Sequence, residues 1–142
     1  MFKTIDSIAM RGEGVILLLG RLAIGALFLP TGWRKLLDPA AFANALGSQY
    51  GMIQPLLFWA VVAAVIEFFG TLAIVVGYRT RLAALLLTLF CIAAAVLGHK
   101  YWLADPAQYR NQFVHFWKDI ALAGGMLFIF VRGAGPLSID RR

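Results

Sequence analysis

At 142 residues, 61% apolar and 14% charged, with a mean hydropathy of +0.80, the chain carries more apolar surface than a soluble fold of this size can bury. It also leaves no room for a separate soluble catalytic domain. The net charge of +6 sits mostly at the edges of apolar runs, where basic residues anchor helices and meet anionic lipid; no basic stripe interleaves with exposed aromatics, which argues against nucleic acid as a partner.

In chain order, residues 1–14 place Phe2, Ile5, Ile8 and Ala9 at helical spacing with charges between them, which predicts a short interfacial helix. Acidic residues and the continuing apolar run argue against a cleaved signal. The first span is expected over about 15–33, apolar except for Arg21, with Pro30 near its far end. A connector over 34–55 follows, starting Arg34-Lys35 and carrying Asp38-Pro39, a turn or helix-start signal, with a short interfacial helix expected over 40–46. The second span, about 56–77, has Glu67 as its one charge. The short link through Arg79 and Arg81 makes spans two and three antiparallel neighbours. The third span, about 82–98, is uncharged, the loop 99–111 is polar and aromatic like an interface belt, and the fourth span covers about 112–131. The expected fold is therefore all-α and integral to the membrane: a bundle of four transmembrane helices with an interfacial N-terminal helix.

Both termini then lie on one side. That side carries Lys3, Arg11, Arg79, Arg81, Arg132, Arg141 and Arg142; the other carries Arg34, Lys35, Lys100 and Arg110. The excess predicts cytoplasmic termini, with Arg34-Lys35 arguing the other way.

Charges inside a bilayer cost at least about 2.5–3.5 kcal/mol each and persist when paired, or when they face a bundle interior or a wet cavity. Arg21, Glu67, Lys118 and Asp119 are such residues. Helical spacing puts Arg21 on a face with Gly25, Phe28 and Gly32, and Glu67 on a small-residue stripe with Ala60, Ala63, Ala64, Gly70 and Thr71. It aligns Thr88, Cys91, Ala95 and His99 on span three, and Gln112, His115, Lys118 or Asp119, Leu122, and Gly125 or Met126 on span four. At a rise of ~1.5 Å per residue, Arg21, Glu67 and Asp119 sit roughly 10, 15 and 18 Å from the terminal-side ends of their spans, so one charge-balanced seam is expected among them. That seam is either a ligand or proton site, or an ion-paired network that only fixes registry.

His99 and His115 fall on the same side of the membrane. Bis-histidine ligation of a haem would use both, and His115 with Asp119 forms an i, i+4 pair suited to a metal. Neither spacing is specific, and with two histidines and no thiolate pair the sequence argues against both groups. The single cysteine, Cys91, has no partner for dithiol chemistry and reads as a packing residue. Tyr101, Trp102, Tyr109, Phe113, Phe116 and Trp117 form a membrane belt, or the wall of a site for a flat, lipid-soluble ring.

The stretches GRLAIGALFLPTGWRKLLDP, VIEFFGTLAIVVGYRTRLAALLL, and FWKDIALAGGMLFIF followed by GPLSIDRR resemble the DoxX family of small bacterial membrane proteins. The features that carry the resemblance are Arg21 with the Gly32–Leu36 ending of its span, Glu67, the Gly77-x-Arg79-Thr80-Arg81 link and Lys118. The resemblance covers about residues 15–142. It implies one membrane domain over 1–142 in the bacterial cytoplasmic (inner) membrane, and a link to thiosulfate:quinone oxidoreduction or to complexes with redox and thiol-stress partners. The family often has Asn after the span-four Lys; here Asp119 adds a potential charge.

Three readings follow. In the first, the chain is a redox-associated subunit holding a quinone-like or other small amphipathic ligand. Arg21, Lys118 and His115 bind its oxygens, Glu67 or Asp119 exchanges protons, His99 lies alongside, and electrons come from a partner enzyme. In the second it is a small-solute carrier, for which four helices call for homo-oligomerisation. In the third it is a scaffold with a structural seam. No motif assigns an enzymatic activity to the chain alone.

Overall fold

The computed structural model describes residues 2–48 and 56–141. Residues 49–55, the second part of the expected connector, lie outside the described residues, as does Arg142. A short helix α1 (Phe2–Arg11) exposes Ile5 and Ile8, as an interfacial helix should. The four long helices are α2 (Glu13–Leu37), α4 (Leu56–Val76), α5 (residues 80–98) and α6 (Pro106–Arg132), each long and apolar enough to cross a membrane. Between the first two lies α3 (Pro39–Ser48).

Two helices run further than their sequence patterns suggested. α2 continues through Arg34 and Lys35 to Leu37, because its break comes only at Asp38-Pro39. Asp38 then caps α3, its Oδ1 accepting from the Ala41 amide at 2.9 Å. α6 begins at Pro106, inside the expected loop 99–111: proline's fixed φ suits a first helical turn, so the polar, aromatic segment 106–111 is helical too.

α4 and α5 each contain one π-helical turn, at Ile66–Gly70 and Ala94–Gly98. Such turns rotate the following face and recur at functional sites. Small residues set the close packing: Ala60, Ala64, Ala84 and Ala95 are fully buried. α4 packs against α2 on one side and α5 on the other, and α6 packs along α5. On the terminal side Arg132 at the end of α6 donates to Glu13 at the start of α2.

The C-terminal tail closes that side. Gly77 adopts the left-handed conformation (φ 72°) and ends α4 with Tyr78 N–H donating to Ala73 O at 2.8 Å and Gly77 N–H to Ile74 O at 3.1 Å. The tail pairs with this turn, Ile139 N–H to Val76 O and Asp140 N–H to Gly77 O. The Asp140 carboxylate accepts from the amides of Arg79 and Thr80 and from the Thr80 hydroxyl, capping α5. These hydrogen bonds hold the Asp140 carboxyl below its ordinary pKa, the Thr80 amide contributing most.

Candidate functional site

The stripes expected on each helix face inward: Arg21, Gly25, Phe28 and Gly32 on α2; Ala60, Ala64, Glu67 and Thr71 on α4; Thr88, Cys91 and Ala95 on α5; Asp119 and Met126 on α6. Their polar groups do not form one seam. They separate into two regions at opposite ends of the bundle.

Arg21 belongs to the terminal side. Its guanidinium donates to Val75 O at 2.9 Å, to Ile74 O, and to Leu137 O of the tail. The last carbonyls of a helix lack intrahelical partners and carry its negative dipole end, so a buried arginine finds its partners there. The expected pairing of Arg21 with the other intramembrane charges is therefore corrected. Its side chain, only 2% exposed, ties α2 to the end of α4 and to the tail.

The other charges meet toward the opposite side. Glu67, also 2% exposed, accepts at Oε2 from Lys35 Nζ (2.5 Å) and at Oε1 from the Thr31 hydroxyl (2.5 Å). The sequence pattern puts Lys35 in the connector, yet it continues the α2 stripe. The positions 21, 25, 28, 32 and 35 repeat at steps of four and three, and extending the pattern by one step would have found it. Its ammonium also stands 4.7 Å from the Phe42 ring centroid and 5.6 Å from that of Phe90.

Asp119 centres a second cluster. Its Oδ2 lies 3.6 Å from His99 Nε2 and its Oδ1 3.7 Å from Lys118 Nζ. Lys118 Nζ is 3.0 Å from His115 Nδ1, and His99 Nδ1 is 2.8 Å from Gln112 Oε1. The antiparallel arrangement of α5 and α6 stacks the His99 and His115 rings at 5.0 Å and 21°. Stacked rings do not face each other across a metal. Among the described residues no group of three or more His, Cys, Asp and Glu side chains is placed to hold a metal ion.

Both clusters open into one cavity of about 490 Å3. Its lining includes Thr31, Lys35 and Glu67 from α2 and α4, and His99, Lys118 and Asp119 from the end of α5 and from α6. Phe28, Phe42, Trp59, Ile66, Leu89 and Phe90 make much of the apolar remainder, and Cys91, almost fully buried, contributes to the lining. The π-turn of α4 carries Ile66 and Glu67 into this lining, and the π-turn of α5 carries Ala94, Leu97 and Gly98 just before His99. Leu27, Trp59, Leu86, Leu89 and Leu97 line the cavity and are also exposed on the outside of the bundle. The cavity thus communicates with the surface that faces lipid.

Four membrane-length helices around a largely apolar cavity with charged walls define a small integral membrane protein with a candidate intramembrane binding site. The chain belongs to the DoxX family, whose sequence model matches residues 16–100, the stretch that carries Arg21, Lys35, Glu67 and His99. It is similar to the inner membrane protein YphA of Escherichia coli (strain K12), with 32% identity over 128 residues and 90% of each chain covered. It is similar also to the inner membrane protein YqjF of the same organism, with 33% identity over 132 residues, 91% of this chain and 92% of the relative. A shorter likeness, 27% over 78 residues, covers 55% of this chain and 25% of the ER-derived vesicles protein ERV29 of Saccharomyces cerevisiae (strain ATCC 204508 / S288c). No solved structure matches.

Proposed function

We propose that the protein is a redox-associated membrane subunit that takes a quinone-like or other small amphipathic molecule from the bilayer into the cavity between Lys35–Glu67 and His99–Lys118–Asp119. The observation that carries this reading is a single cavity with an apolar, lipid-communicating body and two ion pairs in its lining. An ammonium has three N–H donors, and Glu67 takes one from Lys35; the others suit the oxygens of a flat polar headgroup. Lys118 offers the same chemistry from α6. Glu67 and Asp119 are the carboxylates placed to exchange protons with such a ligand. Arg21, engaged by backbone carbonyls and the tail, has no part in this assignment. Electrons would come from a partner protein. The basic excess on the terminal side supports cytoplasmic termini, with the cavity toward the opposite face, and the two relatives named as inner membrane proteins support that membrane.

The test is mass spectrometry of an organic extract of the detergent-purified protein, beside an unrelated membrane protein and the variant Glu67→Gln. Enrichment of a quinone with the wild type, lost in the variant while its helicity and melting persist, is the expected result. Bulk lipid alone in all three samples would shift the assignment to a structural seam. An unchanged quinone content in Glu67→Gln would remove Glu67 from the site.

A further inference from the structure

The terminal side carries a second concavity, separate from the cavity above. It is a cleft of about 580 Å3 where the start of α5 meets the end of α6, with Arg79, Arg81, Leu82, Ala134 and Asp140 in its lining. Asp140 is the one acid there, and its oxygens are occupied: Oδ1 by the Arg79 amide at 3.0 Å, Oδ2 by the Thr80 amide and hydroxyl, both at 2.8 Å. It therefore satisfies the orphan donors of the helix start and makes no hydrogen bond to a guanidinium. Arg132 is paired with Glu13 and Arg21 is held by carbonyls, whereas the Arg79 and Arg81 guanidiniums have no ion-pair or hydrogen-bond partner among the described residues.

The cleft also has a direction. Leu82, in its lining, is 56% exposed, and Leu85 continues the exposed apolar surface along α5 at helical spacing. Two forked cations above an apolar track match a molecule with a phosphate head and hydrocarbon chains. A free phosphate would leave the track unused. Two guanidiniums against the one Asp140 carboxylate, which Arg79 attracts, leave a net positive charge that favours a headgroup of net negative charge over a zwitterionic one.

We propose that this cleft binds an anionic phospholipid. Arg79 and Arg81 hold the phosphate, and an acyl chain lies along Leu82 and Leu85. The site is independent of whatever occupies the central cavity.

The experiment compares retention of phosphatidylglycerol and phosphatidylcholine by the full chain in detergent, read by native mass spectrometry, for three proteins. They are the wild type, Arg79→Gln/Arg81→Gln, and Arg11→Gln/Arg141→Gln, which removes the same charge from exposed positions elsewhere on that side. A basic residue near an anionic surface contributes about fivefold in affinity, so the Arg79/Arg81 variant is expected to lose about thirtyfold in phosphatidylglycerol retention. The Arg11/Arg141 variant should keep the wild-type preference, and inorganic phosphate should not displace the lipid. Melting in phosphatidylcholine micelles checks that each variant is folded. Should Arg79→Gln/Arg81→Gln misfold, Arg81→Gln alone, with an expected fivefold loss, replaces it. Equal losses in both double variants would mean diffuse charge, and displacement by phosphate would mean a simple anion site. Either result, or equal retention of the two lipids by the wild type, overturns the proposal.

Discussion

Lys35 and Glu67 stand 32 positions apart in the sequence, on α2 and α4, and their charged atoms meet at 2.5 Å with Glu67 almost wholly enclosed. Removing one member of a buried pair leaves an uncompensated charge, which costs about 3–5 kcal/mol, while replacing both by apolar groups is often close to neutral. Lys35→Met should therefore lower the stability of the detergent-solubilised protein substantially, and Lys35→Met/Glu67→Leu should recover most of that loss. Reversible unfolding of the three proteins checks the ordering. A double variant no more stable than Lys35→Met would show that the pair does not act as a unit. If the double variant folds well but retains no ligand, registry alone is not what the pair provides.

Arg21 predicts a different phenotype, because it holds the tail and not the cavity. Arg21→Met removes the donors to Leu137, Ile74 and Val75 and leaves those carbonyls for water or for one another. The tail should then open: amide exchange at Ile139 and Asp140, which bond to Val76 and Gly77, is expected to rise by at least tenfold, the equivalent of about 1.4 kcal/mol. Ligand retention should be unchanged. Loss of ligand with an intact tail would put Arg21 back among the cavity residues.

The same latch has a pH dependence of definite sign. Asp140 is a carboxyl whose pKa is lowered from 3.8 in the folded state by the Thr80 amide, the Thr80 hydroxyl and the Arg79 amide. Its contribution is complete above the unfolded value and is lost as pH falls through the lowered folded value. Amide exchange at Arg79 and Thr80, corrected for its intrinsic pH dependence, should be flat from neutrality down to about pH 4 and should rise below that. Asp140→Asn removes the titrating charge and, having one acceptor oxygen where the carboxylate has two, keeps only part of the cap; exchange at Arg79 and Thr80 should be raised at all pH values and the step should disappear. A step that persists in Asp140→Asn would belong to another group.

Four helices and their inward stripes were legible in the sequence because burial in a membrane bundle and helical spacing leave the same mark, a small or polar face on an apolar rod. The partners were less legible. Depth along each helix suggested that Arg21 could reach Glu67, but depth does not record the turn at Gly77 or the tail that supplies Leu137 O, and backbone carbonyls leave no residue-type signal. Lys35 was read as connector because it follows Trp33 and Arg34 near an expected interface; only Asp38-Pro39 shows how far α2 runs. The two π-turns leave no period in a sequence window of this length, yet they help set which residues of α4 and α5 line the cavity wall. His99 and His115 could be placed on one side from topology alone, and their stacking required only that α5 and α6 pack side by side.

Glycine positions give a test of what fixes the site. A Cβ on Gly32 would lie 2.9 Å from the Phe68 amide nitrogen and 3.0 Å from its Cα, inside the π-turn that carries Glu67. A Cβ on Gly25 would lie 2.5 Å from Val75 Cγ2, a γ-methyl that can move by a χ1 change at the cost of leaving valine's preferred helical rotamer. The shorter distance is thus the more forgiving one, since backbone cannot yield without moving a helix. Gly32→Ala should cost about 1–3 kcal/mol, as overpacking does, and Gly25→Ala less. Gly32 also lies between Thr31 and Lys35 on the approach of α2 to Glu67, so backing α2 away should lengthen both hydrogen bonds to the carboxylate. The expected result is that Gly32→Ala lowers both melting temperature and ligand retention, while Gly25→Ala leaves retention intact. Equal effects from the two variants would mean that α2 adjusts as a rigid rod along its whole length, and that Gly32 does not set the distance between Lys35 and Glu67.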